Sequence, residues 1–390
     1  MADFKLLSAD GHLSEPPAAW ERAQKEFGDR APKVVIDPPG LRKGIWMFVD
    51  GLPPVFCSHY QMGEVVDKSK GIADVDPNQQ AKTVYFIDTF RYEDYPAGWD
   101  PAARLAQQDS DGIEAEVIFP SPALTIWGLT DEPLQRSILR SYNAWLHDFC
   151  SYNPKRLIGA PLLSILDAEH AVGDLEEYAR LGFRGVSLPP GIKDSGYYEP
   201  MYEPLWAAAE EASIVINFHT APIQGVPRTS FPGPRTYDPV KYTMGFASNQ
   251  DRPQKLLGNF IFSGVFDRHP NLKIAIVEFD VGWVAHLAQR FDYHFGRQRA
   301  WDPDRDVNKL KPTDYLRNNV FFTFQDDRAG MLTTSIYGED NYMWASDYPH
   351  GGSTYPNSQA TVDRNFDGMD PSVKRKVARE NLNRLYGFGL

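Results

Sequence analysis

Two cysteines in 390 residues, Cys57 and Cys150, are too few for a disulfide framework or a thiolate zinc cluster, and such sparing use is that of a reducing compartment. No apolar run approaches the length that spans a bilayer. Met1 leads directly into a strand-like segment, without a basic region followed by an apolar core, so no export signal is visible. Positive charge is scarce as well: 40 Lys and Arg stand against 52 Asp and Glu, a net charge of -12. That balance excludes a general nucleic-acid or anionic-membrane partner, because phosphate rewards basic side chains. It leaves room for a small anionic substrate held by one or two local arginines. These absences together predict a soluble cytoplasmic protein. What the chain has instead is 31 Pro, 30 Gly and 13% aromatic residues, a composition of shaped loops around a core that 390 residues can make large.

Short apolar runs alternate with helical patterns along the chain. Phe4 to Ala9, Glu116 to Phe119, Leu157 to Leu163, Arg184 to Leu188, Ile214 to Phe218, Lys273 to Val277, Val320 to Phe324 and Tyr342 to Ser346 read as strands. Between them, Leu134, Ile138, Leu139, Tyr142, Trp145, Leu146 and Phe149 recur at helical spacing; Asp167 caps a helix running to Leu181 before Gly182; and a helix opening at Asp251 and Pro253 is expected to reach Phe266. Helices are also expected over Met201 to Ala212 and Trp283 to Phe295, and Asp370-Pro371 starts a closing one. Eight strands mostly separated by helices predict a parallel α/β fold, a distorted (β/α)8 TIM barrel forming one domain over residues 1–390, with a doubly wound open sheet as the competing fold. Two stretches interrupt the alternation: an insertion over about 28–98 after the first strand, and a long loop over about 220–250. Both follow strand C-terminal ends, where they serve as walls or lids of a site or as a dimer interface.

Ligand-capable side chains gather at those strand ends. Asp10 and His12, two residues apart, project from one face of the first strand; His219 ends the fifth, Glu278 the sixth, and Asp347 follows the last. Any one of them alone has a structural explanation, since buried polar groups find partners. Five ionisable groups at four strand ends need a cation to offset their mutual repulsion. His350 has three open roles: substrate contact, ligand of a second metal, which Glu278 would bind together with Glu15 or His350, or a brace for Asp347. His147, His170, His286 and His294 fall in helical patterns of the outer layer, and His269 in a turn before the sixth strand. Arg228, Arg235 and Arg252, in or beside the long loop, either clamp a substrate carboxylate or form loop salt bridges, and His59 in the insertion is a further substrate-binding candidate.

Ala9-Asp10-Gly11-His12 with Glu15-Pro16, Asn217-Phe218-His219, the run Val265 to Lys273, Glu278 with Gly282-Trp283, Ser346-Asp347-Tyr348-Pro349-His350 and Glu380-Asn381 resemble the amidohydrolase-related family, which includes 2-amino-3-carboxymuconate semialdehyde decarboxylase and the resorcylate-type decarboxylases. The resemblance spans essentially the whole barrel outside the 28–98 insertion. It implies a divalent metal, Zn, Mn or Fe, as one ion or two, with Asp10 and His12 in the first-strand ligand places, His219 in the fifth and Asp347 in the eighth. This chain departs twice from the family pattern: Asp10 stands where His or Glu is usual, and Glu278 where a His assists water activation. Both changes add carboxylate oxygen, which suits manganese or iron better than zinc.

The function expected is metal-dependent hydrolysis or non-oxidative decarboxylation of a small carboxylate-bearing or aromatic substrate. Asp347 takes a proton from water, and Glu278, if not a ligand, is a second acid–base group; His350 joins them as a catalytic candidate. Two alternatives accompany it: a mono- or dinuclear non-haem iron or manganese oxygenase, and a catalytically silent subunit paired with an active paralogue. The expected assembly is a homodimer or higher oligomer, or a hetero-oligomer with that paralogue.

Overall fold

Eight parallel strands carry the structure, a computed structural model that describes residues 4–58, 88–227, 240, 244–245, 248–302 and 308–390. They are β1 (Leu6–His12), β5 (Ile113–Phe119), β6 (Leu157–Gly159), β7 (Gly185–Leu188), β8 (Val215–His219), β9 (Ile274–Val277), β10 (Val320–Phe324) and β11 (Tyr342–Trp344). They pair as β1-β5-β6 and as β7-β8-β9-β10-β11. Within each sheet the strands follow chain order without a reversal. A doubly wound sheet requires a reversal at its switch point, so that competing fold is excluded. Parallel bridges link Leu162 to Ser187 and Gly11 to Tyr348, one at each seam between the two sheets. Within 28–98 the described residues form a small antiparallel sheet of β2 (Lys33–Ile36), β3 (Ile45–Phe48) and β4 (Val55–Phe56). No helix of the described residues is long and apolar enough to cross a membrane.

The helices begin where aspartates can cap them. Asp100, Asp131, Asp167, Asp327 and Asp370 each accept a hydrogen bond from a backbone N–H of the first turn, satisfying a donor that has no partner inside the helix. The expected helix from Asp251 to Phe266 is instead two: Asp251–Phe262, then Val265–Arg268. Gly264 separates them at φ +78°, a left-handed conformation that ends one helix and turns the chain into the next. The third expected strand is also shorter than Leu157 to Leu163, closing at Gly159.

Two apolar clusters lie on opposite faces of the strands. Leu7, Ala9, Ala115, Val117, Phe119, Ile158, Val215, Ala275, Val277, Phe321 and Met343 pack together on the inner face. Leu6, Ile113, Ile118, Leu157, Val186, Ile216, Phe218, Ile274, Ile276 and Phe322 face the helices. Leu382, Tyr386 and Phe388 join the inner cluster, and the Tyr386 hydroxyl donates to Asn217 Oδ1 at 2.5 Å.

Strand β1 extends to His12 rather than stopping at Ala9, and its course decides where the ligands point. Ser8 pairs with Glu116 and Gly11 with Ile118, so three steps along β1 match two along β5. This bulge inverts the alternation. Leu7 and Ala9 are inward before it, whereas after it His12 lies opposite inward-facing Phe119 and Gly11 opposite outward-facing Ile118. Asp10 and His12 thus reach the inner space. The Ser8 hydroxyl anchors the irregular stretch, donating to the Asp10 carbonyl at 2.7 Å and accepting from the Ser346 N–H at 2.8 Å.

Candidate metal centre

The ends of β1, β8, β9 and β11 bring Asp10, His12, His219, Glu278 and Asp347 together, and His350 with them. Asp10, His12 and His219 are wholly buried and Asp347 nearly so. His12 Nε2 lies 3.2 Å from Asp10 Oδ1 and 3.4 Å from Asp347 Oδ1; His219 Nε2 lies 3.4 Å from Asp10 Oδ2. The two Nε2 atoms are 3.1 Å apart. Among the described residues two groupings are dense enough to hold a cation, Asp10 with His12, His219 and Glu278, and His12 with Asp347 and His350.

The far side of each imidazole determines what its near side offers. His12 Nδ1 donates to the carbonyl of Pro120 at 2.7 Å and His219 Nδ1 to that of Thr220 at 3.0 Å. A carbonyl can only accept, so both Nδ1 atoms carry hydrogen and the neutral rings turn their Nε2 lone pairs toward each other and toward Asp10. Neither Asp10 oxygen accepts a hydrogen bond of good geometry among the described residues. Two facing lone pairs beside a buried carboxylate are stable only with a positive charge between them, either a proton or a metal ion. The electrostatics of the metal-free site show the proton in that role. Burial works against a charge on His219, yet Asp10 and Glu278 raise it to about 9. Burial and the charge of His350 drive His12 down to about 4. Burial alone would raise Asp10, but His12 and His219 hold it below the usual carboxylate range. Nitrogen and carboxylate donors already turned inward fit a divalent ion of the zinc, manganese or iron type.

Glu278 and Asp347 leave their strands with φ +65° and +54°, in the left-handed region that few side-chain-bearing residues adopt. The Glu278 N–H donates to Thr323 Oγ1 at 2.9 Å and its carbonyl accepts from Thr220 Oγ1 at 2.8 Å, while the Asp347 N–H donates to the Asp10 carbonyl at 3.0 Å. These bonds hold the turn that aims each carboxylate. Glu278 Oε2 lies 3.5 Å from Nδ1 of His219, the nitrogen that faces away from His12. His350 Nδ1 is 3.0 Å from Asp347 Oδ1, its Nε2 is 3.0 Å from Ser121 Oγ, and its ring stacks on His12 with centroids 3.8 Å apart.

The other candidates sit elsewhere. Glu15 is buried with its oxygens on backbone amides, accepting from Ser121 N–H at 3.1 and 3.3 Å and Ala123 N–H at 3.0 Å, and it belongs to neither cation-binding group. Burial pushes its carboxyl up to about 8 against those hydrogen bonds, which favour the ionised form. Arg252 stands in the first turn of the helix after the long loop and donates to the Ala221 carbonyl at 2.9 Å. Arg228, Arg235 and His59 lie outside the described residues. His147, His170, His286 and His294 ride on outer helices, and His269 pairs with Glu203 and Glu210.

Sequence reasoning missed a support directly behind the ligand strand. Glu116 of β5 accepts from Arg104 Nε at 2.5 Å and Nη2 at 3.0 Å and from Gln108 Nε2 at 2.5 Å, all of it buried. Arg104 also donates to the carbonyl of His12 at 2.9 Å and lies over the Tyr348 ring, 4.6 Å from its centroid. A charged residue inside an apolar strand was the available signal. Ser121 and the Pro120 carbonyl left no such mark, as a backbone acceptor has no sequence signature.

The sequence profile of the family described as "Amidohydrolase" matches residues 10–388. The chain is 23% identical over 288 residues to 2-amino-3-carboxymuconate-6-semialdehyde decarboxylase of Dictyostelium discoideum, covering 72% of this chain and 75% of that protein. An amidohydrolase from Mycobacterium avium subsp. paratuberculosis K-10 shares the fold with a TM-score of 0.75 and 22% identity, covering 99% of this chain and all of that one. So does the D314N mutant of 5-carboxyvanillate decarboxylase from Novosphingobium aromaticivorans, solved with bound manganese and 3-methoxy-4-hydroxy-5-nitrobenzoic acid, at a TM-score of 0.66 and 18% identity over 100% of this chain and 98% of that one.

Proposed function

The chain belongs to the amidohydrolase family, a family of metal-dependent enzymes, and on that premise we propose that it catalyses non-oxidative decarboxylation of a small aromatic carboxylic acid. In this reading the eight parallel strands form the distorted barrel of the family, and the inner mouth holds one divalent ion, manganese by preference, on Asp10, His12, His219 and Asp347. The observation that carries the proposal is the pair of Nε2 atoms 3.1 Å apart, each ring with its Nδ1–H on a carbonyl. When bound, the ion supplies positive charge that holds substrate oxygens and stabilises negative charge developing as the carboxylate leaves.

The chain's own residues supply the rest. Decarboxylation breaks the bond between the ring carbon and the carboxylate, releases CO2, and returns one proton to that carbon. Asp347 and His350 form the proton-carrying pair, since Oδ1 and Nδ1 stand 3.0 Å apart at the inner mouth, within reach of a shared proton. Ser121 Oγ holds the outer nitrogen of His350. Glu278, on the far side of His219, keeps that ring's orientation and sets the charge of the mouth rather than completing the ligand set.

Metal analysis of the purified protein, followed by CO2 release from a panel of hydroxybenzoates including a carboxyvanillate, tests the reading. One manganese per chain and CO2 release are expected, with both lost in His219→Ala and Asp347→Ala. A manganese-loaded protein that releases no CO2 from any of them yet hydrolyses esters, amides or lactones would replace decarboxylation by hydrolysis. Full activity with stoichiometric metal in either variant would remove the centre itself.

A further inference from the structure

We propose that Glu15 is a positioning residue, which sets the metal affinity and the turnover of the site by holding the Pro120–Ala123 segment; the proposal rests on the metal centre described above. Glu15 is 1% exposed, and no basic side chain bonds its carboxylate among the described residues. A buried carboxylate needs donors, and it finds them in the amides of Ser121 and Ala123. Those two amides belong to the short Pro120–Ala123 stretch, which touches both imidazoles of the His12–His350 stack. The carbonyl of Pro120 takes the Nδ1–H of His12, and the hydroxyl of Ser121 meets Nε2 of His350. The two residues after β5, Pro120 and Ser121, thus determine which nitrogen of His12 faces inward and how the His350 ring is turned against Asp347. Glu15 itself is anchored from the other side, its own carbonyl accepting from the Tyr92 hydroxyl at 2.9 Å.

The chemistry of the contact makes Glu15 hard to replace. Glutamine can keep Oε1 on both amides, but it puts an NH2 group where Oε2 meets the Ser121 N–H at 3.3 Å, donor against donor. A shift of Ser121 away from that NH2 group moves the adjoining Pro120 carbonyl off His12 Nδ1, and the His12 ring can then present the protonated nitrogen to the ion. Partners of this kind, one bond removed from the metal, typically change its affinity about 10- to 100-fold when lost.

The test uses the full chain loaded with Mn2+. Glu15→Gln is expected to bind the same number of ions per chain as the unsubstituted protein, with affinity lowered about 10- to 100-fold. Its kcat at saturating Mn2+ should fall, with KM changed less. Ser121→Ala removes only the hydroxyl and is expected to lower kcat while Mn2+ affinity stays unchanged. Loss of one bound ion from Glu15→Gln at any Mn2+ concentration would make Glu15 a ligand and overturn the proposal, as would unchanged affinity and kcat. If Glu15→Gln does not fold, Ser121→Ala decides: unchanged kcat overturns the proposal and a selective fall in kcat supports it. Should the protein prove to be a hydrolase, kcat is read on that reaction, and the Mn2+ affinity remains a separate readout.

Discussion

Asp10 and Glu116 are carboxylates on either side of strand β1, both fully buried, and their surroundings are opposites. Glu116 has donors on both oxygens: a guanidinium across the two and an amide from Gln108. Asp10 has two imidazole nitrogens at 3.2 and 3.4 Å and no well-formed hydrogen bond among the described residues. One side of the strand is complete as folded; the other has negative charge and lone pairs left over. Burial alone therefore does not mark a functional carboxylate. What marks it is a shortage of donors that the protein could have supplied, as it did for Glu116 on the other side of the same strand.

The sharpest way to break the comparison is to impose the same shortage on Glu116. Arg104→Met leaves that carboxylate buried without its main partner, and a stability loss of about 3–5 kcal/mol is expected in urea unfolding of the metal-free protein. Adding Glu116→Leu should restore much of the loss, because an apolar pair in place of a buried ion pair is often neutral. Failure of the second substitution to recover stability would mean that the bond from Arg104 to the His12 carbonyl, and not the pairing with Glu116, is what the fold depends on.

A smaller effect separates the two sides by pH. His219 is raised to about 9 in the folded metal-free protein, so its contribution is fully present below its unfolded value of about 6.5 and is lost as pH rises through 9. His12 is lowered to about 4, so the unfolded chain binds the extra proton between 4 and 6.5 and stability rises with pH across that window. The combined contribution of these two imidazoles should therefore be greatest near pH 6.5, with the His219 share, on the order of 3 kcal/mol, lost toward pH 9. With Mn2+ present the alkaline decline should shrink, because the ion takes the place of the His219 proton. Thermal unfolding with and without chelator checks this; an alkaline decline from pH 6.5 to 9 that is equally steep with and without Mn2+ would contradict the charge assigned to His219.

How far these features could be read in the sequence follows from the range of the interactions that make them. Strand order and most helices were legible, since the stripe from Leu134 to Phe149 and the aspartate caps are local signals. The strand-end rule named the five residues that the structure gathers with His350, because convergence needs only the order of strands. Three things were not legible. The bulge between Ser8 and Gly11 is a matter of register against β5, and no local pattern announces it. Apolar Val265 and Phe266 continued the helical stripe across Gly264 and concealed the break. Glu15 was a candidate for a second metal or for substrate, and nothing local showed that its carboxyl meets backbone amides more than a hundred residues away.

Gly11 is the smallest and most local test of the difference between the two sides. It lies between Asp10 and His12, and the bulge turns it outward toward the buried ion pair. A Cβ placed there would sit 2.3 Å from Glu116 Oε2 and 2.7 Å from Arg104 Nη2. The space is closed by a bidentate pair that cannot swing away without exposing a buried charge, so the strand must move instead. Gly11→Ala should cost about 1–3 kcal/mol, the range of an overpacked core. Because the strand carries a ligand on either side of this residue, the shift should also weaken Mn2+ binding. Calorimetry on the variant, with and without the ion, reads both effects. Lowered stability with unchanged Mn2+ affinity would mean that the bulge absorbs the displacement before it reaches Asp10 and His12, making the two sides of β1 mechanically independent.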